Sequence, residues 1–156
     1  MIRRATSADA DAIAQIWGQR ETLGPDKKEH IAEIRGMVGR IAEPFGFWVS
    51  EGEGRVQGWV LLFPFRASPA VRSSMAEVSI FVDERRRGLG VGSELVSHAI
   101  ERAKAAKIEY VLAWVGASNQ RVRRLITSLG ASISAEFPSR PINPRRDKVL
   151  LYRWAL

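Results

Sequence analysis

The chain has 156 residues, no cysteine, and 24 Lys and Arg against 17 Asp and Glu, a formal charge of +7. That length predicts one domain over 1–156, and the missing cysteines exclude a disulfide scaffold, a cysteine–zinc site and a thiol nucleophile. The 46% apolar share is ordinary globular usage; no apolar run approaches the ~20 residues of a membrane-spanning helix, and Met1 to Asp9 turns polar at once, so a cytoplasmic protein with no membrane partner is expected.

A basic surface favours anionic partners: nucleic acid, acidic metabolites or phosphorylated cofactors. The arginines bunch at 85–87, 121–124 and 140–146. Ile2-Arg3-Arg4-Ala5 predicts a short strand. Thr6 and Ser7 offer N-cap oxygens, Asp9 and Asp11 suit a first turn, and Ile13, Ile16 and Trp17 recur at helical spacing, so a helix is predicted over about 8–22, broken by Gly24-Pro25. Ile31, Ile34, Val38 and Ile41 mark one face of a second helix over about 26–42, closed by Glu43-Pro44. A hairpin follows, with strands over 45–50 and 56–65 and a turn at Glu51-Gly52-Glu53-Gly54. Residues 66–73 read as a loop. Met75 to Val82 is a strand with Ala76, Val78, Ile80 and Val82 on one face and Glu77, Ser79 and Phe81 on the other.

After Asp83 to Gly92 comes an amphipathic helix to about 107, with the stripe Leu95, Val96, Ala99, Ile100 and Ala103. Tyr110 to Val115 lacks polar alternation, as a central strand buried on both faces does. Ser118 can cap a helix whose core face is Val122, Leu125, Ile126 and Leu129, ended by Gly130. A loop with prolines at 138, 141 and 144 leads to a last strand, Val149 to Trp154. This order of strands and helices is mixed α/β.

The segment that carries chemistry is strand 75–82, a turn with glycines at 88, 90 and 92, and the helix they open. Glycine admits positive φ and lets an anion approach the backbone. The helix start presents unpaired N–H groups and about +0.5 of an elementary charge, which favours phosphate. Arg85, Arg86 and Arg87 add charge beside it; the bland alternative is a structural turn beside a solvated arginine run. The pattern is neither the dinucleotide fingerprint G-x-G-x-x-G nor a P-loop, since no Gly-Lys-Ser/Thr follows.

Arg87-Gly88-Leu89-Gly90-Val91-Gly92 resembles the R/Q-x-x-G-x-G/A signature of the general-control-related N-acetyltransferase (GNAT) superfamily. Ile2-Arg3-x-Ala5 with Asp9 and Ile13 is similar to the family's first strand and helix. Asn119 falls where the family has an Asn at the start of its fourth helix, and Leu129-Gly130-Ala131 resembles the x-Gly-Phe that ends it. Pro64-Phe65-Arg66 and Ala76-Glu77-Val78 look most like the branch that acetylates phosphinothricin and other amino-acid analogues. The resemblance implies a mixed, mostly antiparallel sheet of six to seven strands flanked by about four helices. It also implies acetyl-CoA as co-substrate, with no metal.

By the same resemblance, cofactor binding falls to Arg87, Gly88, Leu89, Gly90, Val91, Gly92 and Ser93 at the pyrophosphate, to the backbone of Ile80, Phe81 and Val82 along the pantetheine arm, and to Asn119. A strand rise of about 3.3 Å per residue puts Glu77 roughly 16 Å from Val82, a reach that suits the arm. Glu77 is then the candidate general base, because an alkylamine of pKa ~10 must lose a proton to attack a thioester. The other reading of Glu77 is an ion pair with an arginine. An oxyanion donor is expected at the N–H of Phe81 or Val82. The family's thiolate-protonating tyrosine falls on Ile126, and neither Tyr110 nor Tyr152 sits there.

Among the remaining residues, His30 and His98 read as solvated helix positions. Arg121, Arg123 and Arg124 read as a solvated face or as contacts to the cofactor's phosphates, and Arg66 and Arg72 as partners for an acceptor carboxylate. The tryptophans read mostly as core or hairpin residues. The predicted activity is acetyl transfer from acetyl-CoA to the primary amine of a small molecule, an amino acid or analogue. Protein or peptide N-acetylation and a non-catalytic acyl-CoA-binding module are the alternatives. Nucleic acid is not an expected partner, for want of interleaved aromatics; a homodimer stays open.

Overall fold

The computed structural model describes residues 1–19, 27–65, 74–138 and 148–156, with only the backbone at 27, 28 and 30. The predicted Gly24-Pro25 break, the His30 side chain, Arg66, Arg72 and the 140–146 arginines lie outside the described residues. Seven strands are described: β1 Ile2–Arg4, β2 Gly46–Gly52, β3 Arg55–Pro64, β4 Met75–Val82, β5 Tyr110–Gly116, β6 Ser132–Phe137 and β7 Val149–Ala155. They form one sheet in the order β1-β2-β3-β4-β5-β7-β6. Every pairing is antiparallel except β4 with β5.

Helices α1 (Ala10–Gly18) and α2 (Lys27–Arg40) cover one face and α3 (Val91–Ala105) and α4 (Gln120–Ser128) the other. Strand alternation divides the core accordingly. Phe47 and Val49 of β2 and Trp59 of β3 meet Ile13, Ile16 and Ile34 of α1 and α2. Trp48 of β2 and Val60 and Leu62 of β3 point the other way, onto Leu95, Val96 and Ala99 of α3.

Several boundaries differ from the sequence reading. The first helix opens as a 3-10 turn, Ser7–Asp9, before Ala10. Asp9 is its anchor: its carboxylate accepts from Arg3 Nη1 and Nη2 at 2.8 and 2.9 Å and from the Thr6 N–H at 2.8 Å. The hairpin turn narrows to Glu53-Gly54, both at positive φ, because Glu51 and Gly52 extend β2 past a bulge at Ser50/Glu51. Helix α3 begins at Val91, one residue early. Asn119, rather than Ser118, caps α4, its Oδ1 accepting the Val122 N–H at 3.4 Å. Strand β6 was absent from the sequence reading. It is an edge strand with mostly exposed side chains, so it carries no core pattern to read.

Candidate active site

Strand β4 pairs with β5 only over Met75↔Tyr110, Ala76↔Val111 and Glu77↔Leu112. Beyond Glu77 both strands continue, β4 to Val82 and β5 to Gly116, without pairing, and a gap opens between them. Which backbone groups face it follows from the ladder on the other side of β4. Asp83 donates to the Gln57 carbonyl at 2.9 Å, and Phe65 donates to the Met75 carbonyl at 3.2 Å. Antiparallel bonding alternates, so the odd-numbered residues of β4 direct N–H and C=O at β3 and the even-numbered ones direct theirs at β5, which leaves Ile80 and Val82, past the last pairing at Glu77↔Leu112, facing the gap. The Phe81 backbone therefore serves β3, while the residue still lines both cavities beside the gap. Its ring stacks on Trp59 at 4.7 Å, on the α1 face.

At one end of the gap stands the glycine turn. Gly88 and Gly90 have φ of 82° and 87°, and Gly90 is the left-handed N-cap of α3. The first bond of the helix is Glu94 N–H to Gly90 O at 3.0 Å, so the N–H groups of Val91, Gly92 and Ser93 precede the intrahelical ladder. A Cβ at Gly92 would sit 3.0 Å from Leu125 Cδ2, so glycine here lets α4 close on the turn. A cleft of about 910 Å³ lies between them, lined by Gly88, Gly90, Gly92 and Ser93 on one side and by Asn119, Arg121 and Arg124 on the other.

The arginines near this cleft play different parts. Arg86 bonds Glu53, at 3.1 Å for one of its two contacts, which raises its pKa. Arg87 meets Glu84 at 3.5 Å as an ion pair, and its Nη2 is buried without a hydrogen-bond partner. Arg123, counted with the basic face in the sequence reading, is structural: it donates to Tyr152 Oη at 3.0 Å and to the Ala117 carbonyl at 2.8 Å. Arg85 does not line the cleft. Of the predicted cofactor residues, Leu89 is 65% exposed and outside the lining, and the Val91 side chain is buried in the core.

A second cavity of about 290 Å³ occupies the gap itself. Glu77, Ser79 and Trp114 line it from the α1 face of the sheet, and Val96, Val122 and Ile126 from the α3/α4 face. Ile126 is buried where the resemblance implies a tyrosine, and neither Tyr110 nor Tyr152 lines the cavity. His98, expected in solvent, is half-buried edge-on to Trp48 at 5.1 Å, and burial lowers its pKa. Two residues were missed. Trp114 is 44% exposed in a strand otherwise buried from Val111 to Val115, and its signal was an aromatic breaking an aliphatic run. Arg153 pairs with Leu112, so it shares the sheet face of Glu77 one strand further on. Among the described residues no cluster of His, Asp or Glu could hold a metal ion, and no helix is long and apolar enough to cross a membrane.

The model of the acetyltransferase (GNAT) family matches residues 11–131. The chain belongs to this family. The L-amino acid N-acyltransferase MnaT of Escherichia coli (strain K12) is 28% identical over 147 residues, 88% of this chain and 82% of its own. The L-methionine sulfoximine/L-methionine sulfone acetyltransferase of Salmonella typhimurium is 29% identical over 148 residues, 88% of this chain and 82% of its own. A phosphinothricin acetyltransferase from Sinorhizobium meliloti, solved in complex with acetyl-CoA, shares the fold with a TM-score of 0.85 at 22% identity, over 100% of this chain and 88% of that one.

Proposed function

We propose that this acetyltransferase moves the acetyl group of acetyl-CoA to the primary amine of a small molecule, an amino acid or amino-acid analogue, by direct attack on the thioester. The observation that carries the reading is the continuity of the gap: it begins at an anion-accepting helix N-terminus, is lined by the hydrogen-bonding groups of Ile80 and Val82, and reaches Glu77. The relatives named as acting on amino acids and their analogues support the acceptor class.

In this reading the N–H groups of Gly88 to Ser93 take the pyrophosphate, and Arg87 Nη2, held otherwise only by its 3.5 Å ion pair with Glu84, gains a hydrogen-bond partner there. Arg121 and Arg124 line the opposite wall of the cleft and are left for the phosphate on the cofactor's ribose. Ile80 and Val82 hold the pantetheine arm as an added strand would be held, and Asn119, beside both cavities, keeps its amide N–H₂ available. The thioester supplies the electrophilic carbon. The Ile80 N–H can donate to its carbonyl oxygen as negative charge grows on it, which leaves Val82 and the Ile80 carbonyl to the arm. Glu77 takes the amine proton, directly or through a water, as nitrogen bonds to carbon and the carbon–sulfur bond breaks. No tyrosine is required to protonate the sulfur, because a thiol of pKa about 8.5 leaves tolerably as its thiolate.

Amide hydrogen exchange with and without acetyl-CoA tests the cofactor path. The Ile80 and Val82 amides should slow on binding, while Ser79 and Phe81, already bonded to β3, should not change. Equal protection of all four would overturn the assignment. Acetyl-CoA-dependent CoA release over amino acids, their analogues and short peptides tests the acceptor. Turnover of peptides alone would replace a small-molecule acceptor with a protein one.

A further inference from the structure

Trp114 has no part in the reaction as described so far. Val111, Leu112, Ala113 and Val115 around it are at most 6% exposed, whereas Trp114 is 44% exposed. It lies two residues beyond Leu112 on the same face of β5, and Leu112 is the neighbour of Glu77 across the parallel pairing. Strand rise and spacing therefore put its Cα about 8 Å from that of Glu77, on the face Glu77 presents. Both side chains line the cavity in the gap. On its other side the indole meets Phe137, ring centroids 5.5 Å apart and planes at 49°, and Phe137 is itself 41% exposed. Together the two rings form an apolar shelf that starts at the mouth of the cavity and runs away from the carboxylate. The α1 and α2 core draws on β2, β3 and β4 and does not reach this shelf.

We infer that Trp114, extended by Phe137, sets acceptor specificity: it holds an aromatic or long aliphatic group of the amine whose nitrogen lies at Glu77. The inference rests on the acetyltransfer reading above and narrows it. A primary amine whose apolar group begins two or three bonds from nitrogen spans the distance from carboxylate to indole. Short amines reach Glu77 but leave both rings in water, and an aromatic side chain stacked on exposed indole gains burial and ring contact together.

The test is steady-state CoA release with two matched pairs of acceptors, ethylamine against 2-phenylethylamine and glycine against L-phenylalanine. In the wild type the phenyl member of each pair should have the higher kcat/KM, by on the order of 10²-fold, with most of the difference in KM. Trp114→Ala should pull that ratio towards one, Trp114→Phe should keep most of it, and Phe137→Ala should fall between. The melting temperature of Trp114→Ala should stay near the wild type, because the ring is half in solvent. A wild-type ratio near one, or a ratio that Trp114→Ala leaves intact, overturns the inference and leaves acetyl transfer standing. So does a Trp114→Ala protein that sediments as a smaller species with its ratio intact, since the shelf then covers a second copy of the chain. No CoA release with any amine overturns the acetyltransfer reading itself, and this inference with it.

Discussion

Glu77 illustrates how little a single residue's identity says before its neighbours are known. As one glutamate on a strand in a chain of net charge +7, it fits an ion pair as well as a base. Its position at the last residue pair before β4 and β5 part makes the second role testable. Glu77→Gln keeps the shape and removes the basicity, so kcat on a good amine should fall by about 10²–10⁴-fold at neutral pH, with acetyl-CoA affinity nearly unchanged. Raising the pH should recover part of the loss, because more of the amine is then already neutral. A structural role gives the reverse, a lower melting temperature with turnover per folded molecule kept. Asp9 is a carboxylate of the structural kind. Its hydrogen bonds from Arg3 hold its pKa at about 2, below the ordinary 3.8. A depressed carboxylate contributes stability that is fully present above its unfolded pKa and is lost as the pH falls through its folded one. Urea midpoints should therefore decline between about pH 4 and pH 2, and Asp9→Asn, less stable at neutral pH, should show a shallower decline over that window.

At the scale of elements, what was legible in the sequence was what leaves a period or a breaker. The alternation of Ala76, Val78, Ile80 and Val82 set β4 and its two faces correctly, and the glycines at 88, 90 and 92 marked the start of α3 to within a residue. Residues whose role depends on a partner elsewhere in the chain left no such trace. Strand β6 exists because β7 offers it an edge, and its own side chains face water. Whether Phe81 or Ile80 offers its N–H to the gap depends on the β3 register, which is not written in β4. The arginines of α4 read alike in sequence, and the fold separates them: Arg123 is fixed to Tyr152 while Arg121 and Arg124 line the cleft. Acetyl-CoA carries a phosphate on its ribose in addition to the pyrophosphate, and in the proposed binding mode these two arginines meet it. At roughly 0.5–1 kcal/mol for each exposed pair, Arg121→Ala/Arg124→Ala should weaken acetyl-CoA binding about 10-fold. Binding of the dephospho form should change far less, and calorimetry on the two ligands separates this from a general loss of positive charge.

The whole molecule is a sheet with a core on each side, and the short β4–β5 pairing is where those two sides communicate. The glycine turn and the helices α3 and α4 lie on one face; Glu77 and Trp114 open on the other. In the proposed reaction the cavity, lined from both faces, serves as a passage with a mouth on each. The cofactor can thread in from one and the amine approach from the other, so neither has to leave before its partner arrives. The order of binding is then free of steric constraint, and a double-reciprocal plot should give intersecting lines. Free CoA should compete with acetyl-CoA for the first mouth without competing with the amine for the second, and the acetylated amine should behave in the opposite way. A cell rich in CoA would throttle such an enzyme through its cofactor supply, and no concentration of acceptor would overcome the block.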